Sequence, residues 1–473
     1  MVSFHKRYVL ILLTLLLACR SSPFSPQQTQ SSLVLPGSFG NTGLSNTGKD
    51  SLQIIFPEEL NVLVDSALQQ NPDMKMALQR MEIARAGVKA AKADQLPTIN
   101  SQIAGGVRRF GLYTMDGAGN IVTEITPGQM IPIDLPDYYF GVQAFWEIDL
   151  WGRFKNRKRA AQAEYLASQE GMKFLALSLK ADVAIHYYRL LALDAELEII
   201  RETISRQKTI LEMVQTQKES GYSNALEIQQ FTAQLLDWEV MELNLLQSIT
   251  EEENAINFLL GRFPQSVVRQ KKHLLSELEG VSILDIPAQY LQNRPDIKAL
   301  ELKLESQRFN VRAAQAALYP RFAITPGIGF QAFDPQYLFL TPASIAYNAI
   351  GNLITPLVNR NALKANFHTA TANQLITLEE YHKAILNGFT EIVNELNRME
   401  NLKKAAVLRR TQSDKMNQAV ETSRELYRAG RANYLEVLFA QQNALKASMD
   451  LVEINLSQHM SRVQLYRALG VNK

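Results

Sequence analysis

The side chains able to do chemistry are few and dispersed. His186, His273, His368, His382 and His459 lie far apart, without the short spacings that metal ligands require. No glycine-rich phosphate loop is present, and the carboxylates are mostly interleaved with lysine and arginine, the pattern of a solvated face. Cys19 is the single cysteine, so it cannot form an internal disulfide. A net charge of +2 over 473 residues lacks the concentrated basic footprint of a nucleic-acid binder. These residues point away from an enzyme, a metal or another cofactor, and toward a protein whose long elements do the work.

Those elements are written twice. At a fixed offset of 223, ten residues between Pro72 and Pro97 recur identically, among them Pro72/Pro295, Asp73/Asp296, Val88/Val311, Ala90/Ala313 and Pro97/Pro320. GYSNALEIQQ at Gly221 also aligns with GRANYLEVLF at Gly430. Each copy runs to roughly two hundred residues, too long for a solenoid repeat, so the copies are two halves of one domain.

Proline is absent from 137–263 and after Pro356. An interior proline costs a helix ~3 kcal/mol, so such spans suit very long helices. Over 156–220 the only glycine is Gly171, and at ~1.5 Å per residue this segment alone reaches roughly 95 Å. Leu179, Val183, His186, Leu190, Leu193, Leu197, Ile200, Ile204, Gln207, Leu211 and Val214 alternate at spacings of four and three, a heptad seam. The expected partner is the helix after the turn at Gly221, over 224–260, with the pair repeated around Gly430. His186 and Gln207 fit interior hydrogen-bonded groups. Helices alone would also suit an ordinary bundle.

Strands intervene. Phe140, Val142, Ala144, Trp146, Ile148 and Leu150 alternate with Gly141, Gln143, Glu147 and Asp149, the period of a strand with one apolar and one polar face. Phe322, Ile324, Ile328 and Phe330 repeat this against Arg321, Thr325 and Gln331. Weaker strands are predicted near 98–112 and 343–354, with loops over 113–136 and 334–342. A small soluble sandwich and a membrane barrel both fit the alternation. Flanking Tyr138, Tyr139, Trp151, Tyr319 and Tyr337 and strand lengths of ~10 residues suit the barrel. Four such strands need further copies to pair their edges in lipid.

The N-terminus carries His5, Lys6 and Arg7, then an apolar run over 8–17, shorter than the ~20 residues needed to span a bilayer. It reads as a signal peptide. Leu16-Leu17-Ala18-Cys19 resembles the lipobox of bacterial lipoproteins, in which the cysteine is acylated; Arg20 in place of the retention aspartate implies an outer-membrane address. The expected organisation is 1–18 signal peptide, 19–51 lipidated tether, 52–264 first structural repeat and 265–473 second.

FWEIDLWGR from Phe145, NRPDIKALE from Asn293, VRAAQAALYPRFAIT from Val311 and YLEVLFAQQ from Tyr434 together resemble the TolC-like outer-membrane factors, particularly their efflux lipoprotein branch. The resemblance covers nearly the whole chain after the tether. It implies an α+β membrane protein: a homotrimer with four strands per chain closing a twelve-stranded barrel in the outer membrane, continuous with a hollow coiled-coil cylinder in the periplasm. It implies efflux of small molecules such as drugs, with a periplasmic adaptor and an inner-membrane pump as partners, outer-membrane lipid around the barrel and covalent lipid on Cys19. A lipid-anchored coiled-coil spacer or adaptor is the alternative.

The same resemblance locates the functional residues. The periplasmic entrance and adaptor-docking tips fall at Gly221 and Gly430. Family members follow the second turn with a segment like LDVLDA; here Leu435, Glu436, Val437, Leu438, Phe439 and Ala440 stand in it, with Phe439 in place of the second acid. The expected gate is an apolar ring of Leu435 and Phe439 with a charged ring of Glu436, against the alternative that Phe439 packs between helices. Tyr427 matches a tyrosine that ties neighbouring helices at the closed entrance, with Tyr222 and Arg431 as nearby partners, against the alternative that it simply packs between helices.

Overall fold

The computed structural model describes residues 56–221, 223–270, 288–355 and 360–470. Cys19, the signal peptide, the tether, Tyr222 and His273 lie outside the described residues. The first half runs α1 (Glu58–Gln70), α2 (Pro72–Ala93), β1 (Thr98–Arg109), α3 (Met115–Val122), β2 (Glu124–Thr126), β3 (Gln129–Met130), β4 (Asp134–Ile148), α4 (Arg153–Glu219) and α5 (Ala225–Leu259). The second runs α6 (Pro295–Ala316), β5 (Arg321–Ala332), β6 (Ile345–Ile354), α7 (Arg360–Arg428) and α8 (Tyr434–Leu469).

The duplication is visible in the elements. Helices α2 and α6 both have 22 residues, and α4 and α7 have 67 and 69. Pro97 and Pro320 each sit immediately before a strand, where a helix cannot continue. No described helix is long and apolar enough to cross a membrane.

Every member of the predicted seam on α4 is buried or half-buried. Its partner is not α5 alone, however, since α4 also packs on α2, α6 and α8. The reason is length: α5 has 35 residues and runs beside only the far part of the longer helix. There Lys208 meets Glu239 at 2.9 Å and Arg201 meets Glu242 at 2.7 Å. His186 Nδ1 lies 2.7 Å from Glu252, and Gln207 donates to the Phe231 carbonyl. The core around them includes Tyr187, Leu190, Leu191, Ile200, Phe231 and Trp238, all fully buried. Burying each large apolar side chain stabilises the fold by ~1.5–3 kcal/mol.

The main sheet is antiparallel in the order β1-β4-β5-β6. Its register sorts the side chains completely. Ile103 pairs with Phe140, Val142 with Ile328, and Ile328 with Tyr347, which places these residues on one apolar face. Asn100 pairs with Gln143, Tyr139 with Gln331, and Ala323 with Asn352 on the other, more polar face. Charges gather at the ends: Arg108 meets Asp137 at one end, and Arg153 meets Glu147 at the helical end. Near that helical end Trp151 stacks on Tyr319 and donates to the Pro320 carbonyl.

The segment expected to be a simple loop over 113–136 instead holds α3 and the β2–β3 hairpin. Thr114 caps α3 by accepting from the Gly117 N–H, and Gly128, with φ of 82°, turns the hairpin. Both are local turn signals that a composition-level reading as loop passes over.

Where each half closes, the first turn of the short helix is tied to the end of the last one. Asn71 accepts from the Asp73 and Met74 N–H groups and donates to the Leu259 carbonyl at 2.8 Å. At the equivalent place Arg294 donates to the Ala468 carbonyl, also at 2.8 Å. Gly261 and Gly470, with φ of 66° and 67°, pass against these turns so closely that a Cβ would fall 2.7 Å from the Gln70 carbonyl oxygen and 3.0 Å from Arg294 Cα. Glycine is required there both for conformation and for space.

Candidate functional site

The candidate site lies where the long helices turn back, at Gly221 between α4 and α5 and at Gly430 between α7 and α8, both with positive φ. Each return helix starts from an asparagine cap. Asn224 accepts from the Glu227 N–H, and Asn433 from the Glu436 N–H. An offset of 209 therefore superposes Asn224 on Asn433 and Glu227 on Glu436.

The turns are held together by a small core in which Ile210 and Val214 of α4 meet Phe231 of α5 and Leu438 of α8, with Tyr427 and Tyr434 at its margin. The Tyr427 hydroxyl donates to Glu227 at 3.1 Å and to Gln217 at 3.3 Å, tying the second hairpin to the first. Burial and the adjacent Glu227 carboxylate push the Tyr427 phenol up to about 12, so it stays a neutral donor. Ser223 donates to the same carboxylate at 2.6 Å.

Among the described residues the Tyr427 tie has partners that were not named from the sequence, while the expected partner Tyr222 lies outside them. Gln217 and Glu227 take its hydroxyl, and Arg431 is exposed, its backbone N–H donating to the Leu426 carbonyl. Sequence reasoning missed Glu227, although the offset of 209 pairs it with Glu436.

Leu435, Glu436 and Phe439 come together on one side of α8, lining an open groove of about 870 Å³ between α8 and α5. Phe439 is 69% exposed and Leu435 is 50% exposed, so neither is packed between the helices of this protomer. The buried residues of the segment are Val437 and Leu438. Across the groove stand Leu226, Gln230 and Asp237 of α5. Leu226 and Gln230 are the repeat equivalents of Leu435 and Phe439, so the groove is a pseudo-symmetric meeting of two copies. Gln442 and Gln234 hydrogen-bond across its floor. Three or more potential metal-binding side chains do not cluster anywhere among the described residues.

Residues 63–262 and 286–471 match the family model described as outer membrane efflux protein. The chain is 27% identical over 409 residues to the solvent efflux pump outer membrane protein SrpC of Pseudomonas putida, covering 86% of this chain and 84% of that protein. It is 26% identical over 463 residues to the cation efflux system protein CusC of Escherichia coli (strain K12), covering 96% and 97%. Its fold matches a crystal structure of CusC with a TM-score of 0.81 at 24% identity, over 95% of this chain and 100% of that one.

Proposed function

The chain belongs to the outer membrane efflux protein family, and from that premise we propose that three copies close one channel through the outer membrane. The protein is the outer-membrane component of an efflux system, exporting solutes from periplasm to exterior. Four strands from each chain build a twelve-stranded barrel, and the long helices form a periplasmic cylinder. The observation that carries this reading is the sheet. Its apolar face exposes Ile103, Val107, Ile328 and Tyr347, and β1 and β6 are free edges in the single chain. In lipid an open edge leaves backbone groups unpaired at several kcal/mol each, so the edges must pair with other copies.

Cys19 carries covalent lipid and joins the barrel in holding the protein to the outer membrane. A periplasmic adaptor docks at the tips around Gly221 and Gly430 and links the channel to an inner-membrane pump. Solvents and cations, named for relatives, mark the small-molecule range from which the exported solute comes.

At the tip, three copies of Leu435 and Phe439 form an apolar constriction and three of Glu436 a charged one. Apolar constrictions close by dewetting, and acidic rings favour cations. The Tyr427 tie to Glu227 holds the closed arrangement, and the adaptor opens it by binding the open form better. Single-channel conductance of the purified protein in a planar bilayer tests this. Phe439→Ala is expected to raise conductance and Glu436→Gln to weaken cation preference. Intact trimers in the bilayer whose conductance and selectivity are unmoved by both changes would sink the gate.

A further inference from the structure

A second cavity, of about 380 Å³, opens at the junction of sheet and helices. Arg153 and Arg157 of α4 stand in its wall with Asn310 of α6 and Asn366 of α7, and alanines of α6 leave the space between them. The lining therefore holds two guanidiniums and two amides, with no carboxylate.

Both cations have acids behind them but remain available. Arg153 Nη1 lies 3.4 Å from Glu147, and Arg157 lies 3.9 Å from Asp94 while staying more than half exposed. The Arg153 Nε–H is buried and has no hydrogen-bond partner among the described residues. Burial lowers the Arg153 pKa, Glu147 raises it, Arg321 and Arg157 lower it and Asp149 raises it, the net direction being down. Arg153 is also the first residue of α4, and the free N–H groups of that helix end are met in part by Asp149, which accepts from the Lys155 N–H at 2.8 Å outside the pocket lining.

We propose that this pocket binds the phosphate or carboxylate group of a water-borne anion, held by Arg153 and Arg157 with Asn310 and Asn366 as flanking donors. Planar guanidiniums match both oxyanions through paired N–H donors, and the charge-assisted bonds are about twice as strong as neutral ones. The water-borne source follows from the neighbours. Glu147 pairs with Ala323 and Arg321 with Ile354 on the polar face of the sheet, away from the apolar residues that meet lipid. In the trimer, a role that rests on the channel reading above, three such pockets would ring the passage with arginines, opposite in sign to the Glu436 ring at the tip.

The test is calorimetric titration of the detergent-solubilised full-length protein with inorganic phosphate. Saturable binding is expected, weakened at least tenfold by Arg157→Gln, partly restored by Arg157→Lys and unchanged by Arg308→Gln, an exposed α6 cation outside the pocket. Asn366→Ala gives a second variant that leaves both ion pairs in place and is expected to weaken binding severalfold. Binding equal to wild type in both Arg157→Gln and Asn366→Ala, or no saturation by phosphate, would overturn the site. A parallel titration uses detergent micelles containing phosphatidylglycerol. Arg157-dependent binding of that lipid, with silence from free phosphate, would reassign the pocket to a lipid headgroup and overturn the water-borne source. Because binding is read in solution, a protein that binds phosphate but conducts no current would fail the channel reading and leave the pocket standing.

Discussion

At the first hairpin Asn224 caps Glu227, and Ser223 and Tyr427 occupy that carboxylate; at the second, Asn433 caps Glu436, whose side chain is exposed on the groove. The scaffold is the same and the surroundings differ. Ala432 stands where the first repeat has Ser223, and Lys218 where the second has Tyr427. One duplicated glutamate has become a fastening and the other stands exposed on the groove. The closing turns diverge in the same way. Asn71 does with one amide what Arg294 does with a guanidinium bonded to Asp296, Glu391 and the Ala468 carbonyl. Farther along α4 and α7, His186–Glu252 in the first half occupies the place of Glu395–Ser461 in the second, at the offset of 209. Duplication kept the geometry of contact and exchanged the chemistry that fills it, and at these two places the more deeply buried charge, Arg294 or Glu395, falls in the second half.

That asymmetry can be broken most strongly at Arg294. It is 6% exposed, and although burial lowers its pKa, Asp296 and Glu391 outweigh this and raise it. Arg294→Ala removes the partner of Asp296, leaves Glu391 with Arg467 alone and is expected to cost about 3 kcal/mol, against about 1 kcal/mol for Asn71→Ala. Denaturant unfolding of both variants in detergent checks the ranking, and equal losses would remove the claimed difference between the halves. Gly261→Ala should cost about 2 kcal/mol from the left-handed backbone and the nearby carbonyl. Gly470→Ala is expected to cost less, because its closest contact is 0.3 Å longer, from 2.7 and 3.0 Å. Thermal unfolding of this pair would show whether the halves close with equal tightness.

Ser461 is fully buried and donates to Glu395 at 2.5 Å, so Ser461→Ala is expected to cost about 1.5 kcal/mol, read by the same denaturant method. The smallest effect concerns the tip. The folded Tyr427 phenol holds its proton up to about 12, above the ordinary tyrosine value of ~10. Its contribution is whole below the unfolded pKa and is lost as pH rises through the folded one, since the folded state carries the extra proton in that window. Tm measured from pH 9 to 12 should fall in the wild type with a component that Tyr427→Phe lacks. Identical pH profiles would show that the hydroxyl contributes nothing to holding the hairpins together.

Much of the fold was legible before any coordinate. Proline-free spans announced the long helices, and alternation of Phe140, Val142 and Trp146 with Gly141, Gln143 and Glu147 announced a two-faced strand. These signals are local, repeated and driven by burial, so they survive in one dimension. The segment over 113–136 was read too simply, because α3 and its hairpin depend on single turn residues. Leu435, Glu436 and Phe439, which line one groove, are named by a family-like segment, whereas nothing local names Gln217 and Glu227 as partners of Tyr427. They are 210 and 200 residues away in the chain.

The sequence by itself determined the duplication, the element types and which face of each strand is apolar, because periodicity and backbone chemistry act over a few neighbouring residues. Tertiary structure alone decided which copy of each repeated residue is occupied and which is exposed. Glu227 and Glu436 share a cap and a helix position, yet only the packing of α7 beside the α4–α5 turn brings Tyr427 within hydrogen-bond reach of the first and leaves the second facing the groove.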